Sequence, residues 1–194
     1  MRVHVIHAHP VETSFNRSLF RAVVETLTAG GHKVDALDLY AEDFEARLSR
    51  DERIHYEEVP ENLTPAVVSY VERLRAADAI VFVHPVWNYG YPAILKGYFD
   101  RIFLPGVSFL LEHGTLKPNL ANIKRAAFVT SYGGDRFRTM LMGDPPRRLA
   151  RRWAWTTFRT RRPPKYLALY DMNNNREPEL KAFIEKVKAE FSRW

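Results

Sequence analysis

Cysteine is absent from the 194 residues. Disulfides, thiol nucleophiles, thiolate-held zinc and iron–sulfur clusters are thereby excluded together, so any redox chemistry must be carried by a bound cofactor. Also missing is any apolar run near the ~18 residues of a membrane span. The opening MRVHVIHAHP lacks the continuous apolar stretch and small-residue cleavage site of a secretory signal, so a soluble cytoplasmic protein is expected. Neither a Walker glycine pattern nor G-x-G-x-x-G follows the first strand, which argues against nucleoside triphosphate hydrolysis and a Rossmann dinucleotide site. Internal repeats and low-complexity tracts are lacking too, and no metal site is expected. What is present is a composition of 46% hydrophobic and 13% aromatic residues, enough to build one core in a single domain over residues 1–194.

Strand and helix patterns alternate along this chain. RVHVIH (2–7) reads as a β-strand, and a helix begins at Ser14 with Leu19, Val23 and Leu27 on one face, ended by Gly30-Gly31. HKVDALDL reads as a second strand, Ala66 to Ala76 as a helix, and DAIVFVHP as a third strand apolar enough to be buried on both faces. PAILKGYFDRIF is helical with Pro92 near its start, AAFVTSY and KYLALYD are the fourth and fifth strands, and Leu180, Phe183, Ile184, Val187 and Phe191 mark a last amphipathic helix. Residues 41–62, rich in acids, are expected to be an irregular surface excursion. The alternation implies an α/β fold, a parallel sheet with helices on both faces, and five strands imply a flavodoxin-like wind in 2-1-3-4-5 order. Ligands of such sheets bind beyond the carboxyl ends of the strands where the winding reverses, which directs attention to residues 8–14, 84–92 and 131–138.

Each of these loops has its own chemistry. The first, HAHPVETSFN, supplies hydroxyls: Ser14 stands at a helix N-cap with Thr13 before it and Asn16 after it, where free N–H groups suit an anion, although Ser at such a position also caps a helix without any ligand. Arg17 and Arg21 oppose the helix dipole, which a docked anion would compensate. The second loop sets Trp87, Tyr89 and Tyr91 within five residues, a composition suited to a flat conjugated ligand or to packing on neighbouring helices. The third, Thr130 to Asp135, carries Gly133-Gly134, which can admit backbone N–H groups close to a planar ligand or simply form a turn.

The segments AHPVETSFN, HPVWNYGYPAILKGYFDRIFLPGVSF, TSYGGD and DLYAEDFEARLS resemble the flavodoxin-like NAD(P)H:quinone oxidoreductases, a family that includes bacterial drug-activity modulators and ancillary flavoproteins of potassium efflux systems. The resemblance covers about residues 1–140. It implies that His9, Thr13, Ser14, Phe15 and Asn16 hold the phosphate and ribityl chain of a flavin, FMN or FAD. Pro85, Val86, Trp87, Asn88 and Tyr89 would line its isoalloxazine, and Ser131, Gly133 and Gly134 would meet the pyrimidine edge. The implied activity is hydride transfer from NAD(P)H through flavin N5 to a quinone or similar acceptor, with the chemistry on the cofactor and no acid–base side chain strictly required. The resemblance also implies a homodimer whose partner completes the pocket. A flavin-binding regulatory subunit of a membrane transport system is the alternative. Mammalian members carry a Tyr and a His after the Gly-Gly loop; this chain reads RFRTMLMGDPPRR there, and His113 and Tyr132 are the substitutes on offer, although a lone His outside a recognised site is more often an ordinary structural or surface residue.

From Arg136 to Lys165 there are ten Lys or Arg and one acid, Asp144, in a chain whose total charge is +6, so the remainder is net acidic. Asp144 is placed to cap a helix entered at Pro145-Pro146, with Leu149, Trp153, Trp155 and Phe158 interleaved among arginines. Segment 136–165 can be a solvated helix with aromatics toward the core or a dimer contact, a clamp for dinucleotide phosphates, or a contact with an anionic membrane or membrane protein. Nucleic acid is not an expected partner, because a flavodoxin-like fold supplies no groove-reading element.

Overall fold

The computed structural model describes residues 1–194. Five parallel strands form the central sheet: β1 (Arg2–His7), β2 (Lys33–Asp38), β3 (Ala79–Val86), β6 (Arg125–Tyr132) and β7 (Lys165–Leu169), in the order β2-β1-β3-β6-β7. This is the expected 2-1-3-4-5 wind. The register pairs Val5 with Ala36 and Val81, and Val81 in turn with Ala127. Because successive side chains point to opposite faces, one strand serves two cores. Val3, Val5, Val81, Val83, Ala127 and Val129 face α1 (Phe15–Ala29) and α7 (Glu177–Phe191). Ile6, Ile80, Phe82 and Phe128 face α3 (Val68–Arg75), α4 (Ala93–Ile102) and α6 (Pro145–Phe158). Each of the fully buried Val, Ile and Phe side chains contributes roughly 1.5–3 kcal/mol through apolar burial, and the uninterrupted AIVFV of β3 is what a central strand buried on both sides requires.

Three elements depart from the sequence expectation. Residues 41–62 are not wholly irregular: α2 (Arg50–Ile54) starts with a capping box in which Ser49 and Glu52 exchange side-chain-to-backbone bonds. Buried Arg101 of α4 ties this stretch down by binding Glu52 and the Glu45 carbonyl. Gly97 brings the excursion into direct contact with α4, since a Cβ there would run into the backbone of Ala46. A hairpin, β4 (Phe109–Glu112) with β5 (Thr115–Pro118), turns at His113 and Gly114, both with positive φ. Lastly, α5 (Arg136–Leu141) precedes α6 as a separate short helix.

Candidate functional site

In such a sheet a ligand crevice is placed at the carboxyl ends of the strands where the winding reverses, beside β1 and β3, and the loops after β1, β3 and β6 stand at that edge. The His9 and Trp87 rings lie 5.8 Å apart, joining the first loop to the second. A Cβ on Gly134 would stand 4.0 Å from the Tyr89 hydroxyl, joining the second to the third.

In the first loop, Ser14 is the N-cap of α1 and accepts from the Arg17 N–H at 3.1 Å. Phe15 and Asn16, the first helical residues, donate no N–H to another backbone carbonyl, as the geometry of a helix start dictates. The Asn16 side chain is only 2% exposed, yet neither its amide nitrogen nor its amide oxygen has a hydrogen-bond partner. A buried amide left unpaired at both ends costs several kcal/mol in order-of-magnitude terms, unless a ligand supplies the missing partners. Thr13 is exposed, the Phe15 ring packs 6.4 Å from Phe183 so that this residue offers the crevice its backbone, and His9 accepts from the Val11 N–H at 3.0 Å. Desolvation lowers the His9 pKa below the usual imidazole range, favouring its neutral ring. Arg17 pairs with Asp38 at the end of β2. That ion pair, not a docked anion, explains a cation in the first turn.

In the second loop, Pro85 is buried and Val86 half-buried as β3 ends. Trp87 and Gly90 exchange backbone bonds of 3.2 and 2.8 Å across a turn whose central residues, Asn88 and Tyr89, have φ of 49° and 55°. Two non-glycine residues held left-handed cost about 1–2 kcal/mol each, and such outliers gather where a surface must be presented in one shape. Trp87 and Tyr89 are 40% and 36% exposed, so the turn displays aromatic surface instead of burying it. Tyr91 turns inward, its hydroxyl 3.4 Å from the Pro146 carbonyl.

In the third loop, Ser131 is buried at the end of β6, while the carbonyls of Tyr132 and Gly134 accept from Met172 and Asp171, both at 2.9 Å. The N–H groups of Gly133 and Gly134 have no backbone acceptor, leaving two adjacent donors without Cβ atoms in front of them.

Two features were not anticipated. Asp144, expected as a helix cap, adopts φ 45° and makes no side-chain cap bond. Its carboxylate instead accepts from Tyr132 at 2.7 Å and Tyr170 at 3.0 Å, and the Tyr132 and Tyr166 hydroxyls meet at 2.5 Å. Burial pushes the Tyr132 and Tyr166 phenols far above their ordinary range, so both stay protonated. Tyr132 is therefore committed beneath the third loop, and His113 stands on the hairpin tip. The second feature is a groove of about 700 Å³ between α4, the β4–β5 hairpin and α6, lined by Tyr91, Phe99, Phe103, Leu116, Leu149 and Trp153. It adjoins the three loops through Tyr91.

A sequence model of the flavodoxin-like fold matches residues 1–189. The chain is 32% identical over 149 residues to NAD(P)H dehydrogenase (quinone) 1 of Cavia porcellus, a match covering 69% of this chain and 54% of that protein. It is 27% identical over 142 residues to the uncharacterised NAD(P)H oxidoreductase YcaK of Escherichia coli, covering 73% and 69%. The chain thus spans about half the length of the mammalian quinone dehydrogenases it matches. Among solved structures, the NAD(P)H:quinone oxidoreductase of Methanothermobacter marburgensis superposes with a TM-score of 0.87 at 24% identity, covering 99% and 98% of the two chains. The FMN-dependent NADH-azoreductase of Bacillus anthracis, solved with FMN, gives 0.75 at 17%, covering 99% and 98%. With the strand order, the match over nearly its whole length shows that the chain belongs to the flavodoxin-like fold family.

Proposed function

We propose that this protein is a flavin-dependent NAD(P)H oxidoreductase that reduces a quinone or a related conjugated acceptor. The observation that carries the reading is the buried, unpartnered Asn16 amide beside the open N–H groups of Phe15 and Asn16, set across a crevice from the unpaired N–H groups of Gly133 and Gly134. These are the donors that a phosphorylated tail at one end and a heterocyclic edge at the other require, and the turn at Trp87 to Gly90 displays aromatic surface for a planar ring. The residues present fit a flavin. Bound there, it would supply hydride acceptance from NAD(P)H and delivery to the second substrate at one ring atom.

The protein's own part is binding and orientation. Thr13, Ser14 and Asn16 would hold the phosphate and ribityl hydroxyls, with the positive end of the α1 dipole directed at the phosphate. Pro85 to Tyr89 would present a fixed wall against the ring, its shape set by the left-handed turn at Asn88 and Tyr89. Ser131, Gly133 and Gly134 would donate to the ring edge, where negative charge develops on reduction. Tyr132, Asp144, Tyr166 and Tyr170 brace the strand ends carrying those donors. The B. anthracis neighbour is named for FMN, which favours FMN over FAD for this chain. Homodimerisation belongs to the same reading: Leu111 and Leu116 of the hairpin are 57% and 59% exposed beside the apolar groove, a surface that a second copy would cover.

The test is purification followed by absorbance spectroscopy and NADH and NADPH oxidation with a panel of quinones and azo compounds. Tight flavin binding with turnover supports the proposal. Bound flavin without turnover on any acceptor favours the regulatory-subunit reading, to which the unpaired arginines of α6 lend their support.

A further inference from the structure

We propose that the outer face of α5 and α6 is a docking surface for an anionic lipid bilayer. On α6, Arg147, Arg148, Arg151, Arg152 and Trp155 recur at helical spacing on one stripe, and together with Pro163 they border a single shallow concavity of about 340 Å³. The adjoining face of the helix, Pro146, Ala150, Ala154 and Phe158, is buried in the core, and Arg147 stands at its border. Of the ten cations between residues 136 and 165, only Arg138 and Lys165 have acidic partners, Asp135 and Glu190. Arg147 lies over the Tyr166 ring, 5.8 Å from its centroid, and the other arginines have no acidic partner, while the rest of the chain is net acidic.

Charge is half of the surface. Phe137, Met140, Leu141 and Met142 of α5 and its C-terminus are 65%, 65%, 70% and 56% exposed, and Trp155 is 51% exposed. The two helices are contiguous here, because a Cβ on Gly143 would lie 3.5 Å from the Arg148 guanidinium. Bulky apolar side chains held out into water among unpaired cations match the physics of a membrane interface, where arginines meet lipid phosphates and aromatic or aliphatic tips enter the headgroup boundary. A nucleic acid would satisfy the arginines but gives Phe137 and Leu141 no reason to protrude, and scattered apolar tips beside unpaired arginines favour a lipid interface over a protein partner, whose binding would leave vesicles unbound.

The inference does not depend on the flavin site, since it is read as vesicle binding without substrate, and either reading can fail alone. The experiment is co-sedimentation of the full chain with vesicles of phosphatidylglycerol mixed with phosphatidylcholine, and with phosphatidylcholine alone, at ~0.1 M and ~0.5 M salt. The variants are Arg148→Gln/Arg151→Gln/Arg152→Gln and Phe137→Ser/Leu141→Ser, exposed positions whose unchanged circular dichroism and melting would show intact folding. The wild type is expected to bind anionic vesicles selectively. The triple arginine variant is expected to lower the partition coefficient by about two orders of magnitude, at roughly 1 kcal/mol per basic residue. The Phe137→Ser/Leu141→Ser variant should lose whatever binding survives high salt. Failure of the wild type to bind anionic vesicles at the lower salt, equal binding to neutral vesicles, or undiminished binding by the triple variant each overturns the proposal. So does dissociation of a dimer by Phe137→Ser/Leu141→Ser with vesicle binding intact, which would make the patch an interface between copies.

Discussion

His84 makes the stability of this fold depend on pH in a way that one substitution isolates. Its ring is fully buried at the end of β3 between Tyr91 and Phe128, with centroids at 5.1 and 6.3 Å. Nδ1 donates to the Pro85 carbonyl at 2.9 Å, which puts the proton on that nitrogen and leaves Nε2 a buried acceptor without a partner. Desolvation lowers its pKa from 6.5 to about 4. The unfolded chain therefore takes up a proton near pH 6.5 and the folded chain only near 4, so stability is full above 6.5 and lost as pH falls through that window. At 1.36 kcal/mol per unit the loss attributable to His84 is about 2 kcal/mol between pH 7 and pH 5. His7, lowered to about 4 by the same cause, adds a similar amount. Replacing His84 with Phe shifts stability at every pH through packing and the lost hydrogen bond, but removes the pH-dependent part. Urea unfolding of ligand-free wild type and His84→Phe at pH 7 and 5 should show the variant losing about 2 kcal/mol less on acidification. Asp35, whose pKa His4 and Arg73 hold far below the carboxylate range, titrates outside this interval and in both proteins alike. Parallel pH dependence in the two proteins would refute the assignment.

Three further outcomes follow from particular contacts. Replacing Ser14 and Asn16 together with Ala loses about 1 kcal/mol with the cap but relieves the unpaired buried Asn16 amide, so the ligand-free variant should be no less stable than wild type, while flavin binding weakens roughly tenfold or more; fluorescence titration with FMN reads the second effect, and unchanged affinity would reduce the loop to helix capping. Asp144→Ala removes the acceptor of two tyrosine hydroxyls, one buried and one able to regain water, and should lower thermal stability by about 2–4 kcal/mol. That cost should shrink in a Tyr132→Phe background, a coupling that a double-mutant cycle by calorimetry would expose. Gly97→Ala forces a methyl into the Ala46 backbone and should destabilise by about 1–3 kcal/mol, with increased proteolysis of residues 41–62 as its local signature.

The elements legible in the sequence are those whose own residues dictate them. AIVFV has no polar interruption and reads as a central strand; Ser14 followed by Leu19, Val23 and Leu27 carries both the start and the buried face of α1. The convergence of the three loops follows from winding order, a global rule requiring no knowledge of side-chain contacts. What escaped depends on partners distant in sequence. Asp144 before Pro145-Pro146 has the local pattern of a cap, but the hydroxyls of Tyr132 and Tyr170 claim its carboxylate and hold it left-handed. Arg17 looked like an anion partner until Asp38, delivered by β2, met it. The hairpin had a readable signal: FLLE and TLKP flank His113-Gly114, a dipeptide in the left-handed region, but four-residue strands are too short to announce themselves by periodicity. The acidic composition of 41–62 concealed its capping box, Ser49 with Glu52, which spacing alone could have revealed.

The crevice itself is tested most directly by crystallising the protein with excess FMN. Density should place the phosphate at the start of α1 against Ser14 and Asn16, the ring against the Trp87 to Gly90 turn, and its polar edge on the Gly133 and Gly134 N–H groups. An unoccupied crevice in those crystals, or FMN bound at another surface, would contradict the assignment.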